Sequence, residues 1–509
     1  MNGQVIRKVV IAGGGTAGWC VAVALGKMLG SNLVDVTLVE SAEIGIIGVG
    51  EATIPTIRSF HELLDIDEQD FMRNCQAGIK LGISFDNWAQ HGDHYFHSFG
   101  TVGKAPWMAP FHHFWLHAQT LGFGGNLTDY CLELQAAEAF KFEAGKDGKK
   151  APLSYAYHFD TALYGPYLRK IAEASGVRRI EGKITGVGQD ADSGYVTDIT
   201  LASGQVIEGD LFIDCTGFRG LLIEETLKTG YEDWDHWLAN DRAWACQTGL
   251  KPDKKLAPYT SAIAHTAGWR WEIPLQHRIG NGFVYSSKYM SDDEARSIFL
   301  SQLEVPPITE PFHLKFRTGR RKKIWNKNVI AMGLSSGFIE PLESTNIHLM
   351  QMAALRLVQM FPFSGIHDSQ VDHFNAITER EVEKIRDFVI MHYKATERDD
   401  TPYWLSRRDM VPPEPLTQRM QMFRDTAEAF KGDGEIFRLD SWIQVLPGQR
   451  VHPQGYHHLA RIVSDDQLRL MLDGLRAQVA DGLSKLPDYE TWLRAYGGAP
   501  KPVRLYESV

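Results

Sequence analysis

The stretch Lys8–Leu29, KVVIAGGGTAGWCVAVALGKML, constrains the fold more than any other part of the chain. Val9, Val10, Ile11 and Ala12 form a short apolar run with β-branched members, the kind of segment that becomes a buried parallel strand. It breaks into Gly13-Gly14-Gly15-Thr16-Ala17-Gly18, which satisfies G-x-G-x-x-G, and continues into an alanine- and leucine-rich helical segment. Gly13 permits the tight turn, Gly15 lets a pyrophosphate approach the backbone, and Gly18 lets helix pack on strand. The N–H groups of the helix start, Thr16 and Ala17 among them, then face the phosphates. A second strand, Val34–Val39, ends at Glu40, about twenty residues beyond the last glycine, where an acid binds the ribose hydroxyls of an adenosine. The unit predicts a dinucleotide site and leaves open NAD or FAD. The bland rival is a structural βα turn.

At 509 residues the chain exceeds what one core supports, so two or three structural units are expected. A net charge of −10 argues against a nucleic-acid partner. The densest basic run, Arg317–Lys323 (RTGRRKK), reads as a solvated loop. The five cysteines are scattered and form no C-x-x-C pair, which points to a reducing compartment and away from zinc. No signal-peptide pattern and no membrane-length apolar window is present, so a cytoplasmic protein is expected.

Past Glu40, Ile44–Pro55 (IGIIGVGEATIP) is a second glycine-rich stretch, suited to backbone lying against a planar ligand. Glu62–Phe71 reads as a helix and Ile79–Trp88, which holds Lys80, as a half-buried strand. Between residues 91 and 117 lie His91, His94, His97, His112, His113 and His117 among aromatics. Gly92 and Pro106 interrupt helical spacing and no ligand pattern emerges, so no metal site is expected; an aromatic wall for a substrate, or ordinary packing, fits better. Thr161–Ala174 reads as an amphipathic helix, Gly176–Ile213 and Trp234–Val284 as strand-rich, and Val329–Met332 as a buried strand. A helix from about Asn346 to Phe361 follows, with Ser344 or Thr345 as its cap. Helices at Gln370–Tyr393, Leu416–Phe430 and Ser464–Leu483 make the C-terminal part mainly helical.

Four motifs now occur in order: Gly13–Gly18, Gly48–Pro55 (GVGEATIP), Trp269–Pro274 (WRWEIP, for W-x-W-x-I-P) and Pro341–Thr345 (PLEST). With AGIKLGISFDNW around Lys80, SYAYHFD at 154–160, DLFIDCTGFRG and RDDTPYW, they spread over nearly the whole chain. Together they resemble the flavin-dependent halogenases of the tryptophan-halogenase family. The resemblance implies an α/β fold: an FAD-binding Rossmann-type domain of the glutathione-reductase/hydroxylase kind with an inserted β-sheet (1–100 and 151–361), plus a mainly helical substrate-capping region (101–150 and 362–509). It implies FAD held by Gly13, Gly15, Thr16, Ala17, Gly18, Glu40, Gly48, Gly50, Glu51, Ala52 and Gly333. A separate NAD(P)H-dependent flavin reductase would supply FADH2, which with O2 turns chloride or bromide into hypohalous acid. A homodimer is compatible with the family.

The oxidant would pass through a tunnel to Lys80, which binds and activates it, while Glu343 stabilises the cationic ring or removes its proton. Lysine in a semi-buried tunnel can polarise an electrophile, and a carboxylate suits positive charge developing on an arene. Trp269, Trp271, Ile273 and Pro274 would line the barrier and tunnel. His97 and Phe99 match the ring-sandwiching pair. Halide would sit on backbone N–H groups at Thr345 and its neighbour, where Asn346 replaces the usual glycine; Asn tolerates a left-handed backbone. Between Phe423 and Trp442 the chain lacks the tyrosines that clamp tryptophan's head group. The expected substrate is therefore a flat, indole-like or larger arene rather than free tryptophan. The other readings are a flavin-dependent aromatic hydroxylase, which would form product without halide, and a flavin-binding scaffold without turnover.

Overall fold

The structure, a computed structural model, describes residues 5–44, 50–106, 109–145 and 151–497, so Gly45 and Gly48 of the second glycine-rich stretch lie outside the described residues. The chain divides into two compact units: residues 1–77, 159–241 and 315–383, and residues 78–158, 242–314 and 384–509.

The first unit is built on the predicted opening strand. Lys8–Ala12 lies centrally in a six-stranded sheet, with Asp35–Glu40 and then Arg178–Glu181 on one side, and Leu211–Asp214, Val329–Ala331 and Trp325–Asn326 on the other. All pairings are parallel except the last. Val9, Val10, Ile11 and Ala12 are buried, as an inner parallel strand requires. Val10, Ala12, Val39 and Phe212 share an apolar core with Val196, Ile199, Leu201 and Ile207 of a three-stranded antiparallel sheet. The helix Thr16–Met28 packs against Thr161–Ala174 and Asn346–Gln359. The expected helix over Glu62–Phe71 is instead two, Thr56–Leu63 and Glu68–Asn74. Asp65 sits at φ 48°, and Asp67 caps the second helix by accepting the Asp70 N–H.

In this unit the ends of RTGRRKK, Arg317, Lys322 and Lys323, are exposed as expected, but its middle is not a solvated loop. Gly319–Arg321 is a buried strand whose guanidinium groups are neutralised: Arg320 by Glu232, Glu379 and Glu383, and Arg321 by Glu224. Buried arginine is tolerated because its fork is paired.

The second unit centres on a seven-stranded sheet with Gly268–Pro274 between Thr260–His265 and Ile279–Tyr285. Thr260–His265 pairs in parallel with Gly82–Asp86, which pairs antiparallel with His94–Ser98. The single half-buried strand expected over Ile79–Trp88 is two strands in different sheets, Gly78–Lys80 and Gly82–Asp86, and Ile83, Ser84 and Phe85 of the second are all buried. The helix expected at Leu416–Phe430 starts at Glu414 and stops at Thr426, because Ala427 turns left-handed (φ 59°).

Candidate active site

The first unit contains the dinucleotide cradle. Gly13 has φ 110°, and a Cβ there would stand 2.3 Å from the Cys215 carbonyl oxygen. A Cβ on Gly18 would stand 2.0 Å from the Gly13 oxygen, so helix and turn meet with no room for a side chain. Around Gly15 no described atom comes within 4 Å of that position, which leaves its backbone open to a phosphate. Gly14, to which the sequence assigned no task, is the tightest: its Cβ would fall 1.7 Å from Glu40 Oε2. The Glu40 carboxylate accepts from Trp19 Nε1 at 3.2 Å and Arg179 Nε at 2.5 Å, with Arg169 at 3.9 Å. The fixed carboxylate and the open turn fit an adenine dinucleotide, and the two arginines escaped the sequence reading. Glu51 is partly buried, and desolvation lifts its carboxyl to about 7. Gly50 and Ala52 are buried beside it.

Buried Asp214 organises the neighbouring turns. One of its oxygens accepts from Thr216 N, Thr216 Oγ1 and Ser335 Oγ, the other from Leu222 N and Ile223 N. This fixes the turn that carries Gly333, where φ is 66° and a Cβ would crowd the Ala17 methyl at 2.6 Å. Pro341–Glu343 forms one tight helical turn, with Glu343 and Thr345 each 1 % exposed. The left-handed residue here is Ser344 (φ 59°); Asn346 is instead the first residue of the helix Asn346–Gln359. The chain reverses one residue pair earlier than Asn346 suggested, so that position needs only right-handed backbone. Thr345 occupies the cap position but makes no side-chain cap bond. Gly333 and Asn346 line one pocket with Phe338, Leu349 and Met350, which brings a predicted cofactor residue and a predicted halide residue together.

In the second unit Lys80 ends the strand Gly78–Lys80 and is fully buried. Its Nζ lies over the Phe99 ring, 5.2 Å from the centroid, a cation–π arrangement. His97 is 2 % exposed and meets Phe388 at 5.5 Å and Phe437 at 6.1 Å between ring centroids. Those two phenylalanines stack at 3.7 Å and were not foreseen, since their neighbours in sequence carry no motif. His158 bonds Thr260 Oγ1 at 2.9 Å, and burial, helped by the Lys80 charge, drives its imidazole well below the usual range, so it stays neutral.

Trp269 and Trp271 lie in the centre of the sheet, 6.0 Å apart, with Ile273 and Pro274 buried after them. Trp271 lies flat over Gly282, its registered partner, where a Cβ would come within 1.8 Å of the indole. Its buried Nε1–H has no acceptor among the described residues.

Comparison with known proteins closes the question of family. The family model for tryptophan halogenase matches residues 8–465. The chain belongs to the tryptophan halogenase family. It is 37 % identical over 443 residues to tryptophan 7-halogenase RebH of Lentzea aerocolonigenes, covering 83 % of each chain. Among solved structures it matches Xcc4156, a flavin-dependent halogenase from Xanthomonas campestris, with a TM-score of 0.95 and 47 % identity over 98 % of this chain and 100 % of that one. BrvH, a flavin-dependent halogenase from Brevundimonas sp. BAL3, gives 0.92 and 39 %, covering 96 % of this chain and 99 % of its own.

These likenesses bear out the expected Rossmann-type α/β fold. The protein is a flavin-dependent halogenase that uses FADH2, O2 and halide, and the family decides against the hydroxylase. A flavin reductase and an aromatic substrate are implied with it. No helix among the described residues is long and apolar enough to cross a membrane.

Proposed function

We propose that this halogenase acts on an indole-like or larger electron-rich arene through Lys80 and Glu343. Bound FADH2 supplies, with O2, the oxidising power that converts halide to hypohalous acid. The residues argued to hold it are those of the Gly13–Gly18 turn with Glu40, together with Gly48, Gly50, Glu51, Ala52 and Gly333. Halide takes the backbone N–H groups at Thr345 and Asn346, at the start of a helix. Trp269 and Trp271 keep the arene from the cofactor, with Ile273 and Pro274 along the passage. Lys80 holds the electrophile as a hydrogen-bond donor or haloamine, His97 and Phe99 orient the ring, and Glu343 takes up the charge or proton of the ring intermediate. The reductase is a separate NAD(P)H-dependent protein, and the setting is cytoplasmic.

The observation that carries this reading is the placement of Lys80: out of water, over the face of Phe99, one of the two residues expected to hold the arene. The relatives named for tryptophan support an indole-type ring. The missing tyrosines between Phe423 and Trp442 argue against recognition of an amino-acid head group. Competition tests the substrate: with equal indole and free tryptophan, indole is consumed about tenfold faster, the factor that about 1.4 kcal/mol of discrimination produces. Preference for tryptophan would refute the open-pocket reading.

A further inference from the structure

We infer that Tyr489, on the last described helix, is a positioning residue for Lys80; the inference rests on Lys80 acting as proposed above. The strand that delivers Lys80 is three residues long and has a single strand neighbour in this unit, registered Gly78↔His158, Ile79↔Tyr157 and Lys80↔Ala156. So short a strand is weakly held unless its other edge is paired as well. That edge is closed by two groups that are not strands. The Ile79 N–H donates to Tyr489 Oη at 2.7 Å, and the Leu81 N–H donates to the Pro258 carbonyl at 2.7 Å. Lys80 lies between these two bonds.

The phenol is seated closely. A Cβ on Gly78 would stand 3.0 Å from Tyr489 Oη and 3.4 Å from the Pro274 carbonyl oxygen. Glycine there leaves the phenol oxygen room to reach the Ile79 amide beside the end of W-x-W-x-I-P; a side chain would press it back by a few tenths of an ångström. Tyr489 is itself anchored: it is 1 % exposed, its N–H donates to the Phe140 carbonyl at 2.8 Å, and its ring meets Phe142 edge-on. Flanking Asp488 pairs with Lys255 at 2.7 Å, and Glu490 accepts the Leu256 N–H at 2.7 Å. The helix Tyr489–Gly497 therefore presents a preorganised oxygen to the lysine's strand. It lies beyond residues 8–465, the part matched by the family model, so the family motifs do not reveal it.

Removing that oxygen leaves a buried amide unpaired one residue before Lys80 and frees the strand to shift. A small displacement of a positioned reactive group lowers the rate even where the fold survives.

The test is Tyr489→Phe in the full chain, with FAD, a flavin reductase, bromide and an indole that the unmutated enzyme brominates. Two products are read: bromoindole, and hypobromous acid escaping to a 1,3-diketone scavenger in a parallel reaction without indole. Bromoindole falls about tenfold while scavenged oxidant stays within about twofold, because oxidant formation does not depend on where Lys80 points. Gly78→Ala, whose methyl group would press on the same oxygen from 3.0 Å, moves the two products in the same direction by a smaller factor, and a melting curve confirms that each variant is folded. An unchanged bromoindole yield would overturn the inference, as would a parallel loss of both products. Lys80→Ala, run alongside, separates the two claims: if it still brominates indole, the reading of Lys80 fails first; if it does not and Tyr489→Phe does, the inference fails alone.

Discussion

Gly14 shows how one hydrogen atom can hold a binding site in shape. Its missing side chain lets Glu40 lie against the turn, where Trp19 and Arg179 fix the carboxylate. Gly14→Ala must push that carboxylate off its partners, so FAD binding, followed by flavin fluorescence quenching, is expected to weaken on the order of tenfold, the loss of about one charge-assisted hydrogen bond. Gly15→Ala, with open space around it, is expected to fold normally and to lose affinity only through the phosphate contact. The motif made Gly13, Gly15 and Gly18 legible from sequence because each answers a local backbone demand. Gly14 answers a side chain many residues away, which no local pattern records. The same limit explains Asn346: the sequence marked it as the unusual residue of its loop, while the left-handed backbone falls on Ser344.

Among the elements, the strand Gly268–Pro274 depends most on its neighbour. Trp271 can lie flat only because Gly282, across the ladder, presents no side chain. Gly282→Ala is therefore expected to displace Trp271 while keeping the sheet. If Trp271 screens the cofactor, the variant consumes FADH2 and O2 with less halogenated product per turnover; an unchanged ratio would show that the indole's position is immaterial. Strands and helices with clear period were legible: the helix Thr161–Ala174 falls where its amphipathic spacing put it, and Lys8–Ala12 and Asp35–Glu40 lie close to their expected bounds. Legibility failed where tertiary partners override local character. The middle of RTGRRKK looked solvated because the four carboxylate partners of Arg320 and Arg321 are distant in sequence, and Ser84 looked exposed because it is polar, yet packing buries it.

At the scale of the whole molecule, stability carries a signature of buried neutral histidines. Burial holds the imidazole of His112 down to about 4 and that of His113 to about 3, the latter aided by the charge of neighbouring His112, against an ordinary 6.5. His112 bonds the Ala427 carbonyl, and His113 faces His457 and Glu428. The unfolded chain takes up protons below about 6.5 that the folded chain refuses until about 4, so stability falls as pH drops through that window. Thermal unfolding followed from pH 7 to 5 should show the midpoint falling, less steeply in His112→Gln; an identical slope would show that the site does not carry the effect. Family and fold were legible across nearly the full length because the motifs recur in order; the brace on Lys80 was not, since Tyr489 stands in a stretch with no motif.

The role of Lys80 is tested by mass spectrometry of indole treated with FAD, NADH, a flavin reductase and bromide, using the unmutated enzyme and Lys80→Ala side by side. The paired bromine isotope pattern is expected in the first and its disappearance in the second, with flavin reoxidation preserved in both. Bromoindole from Lys80→Ala at the unmutated rate would show that halogenation does not pass through this lysine.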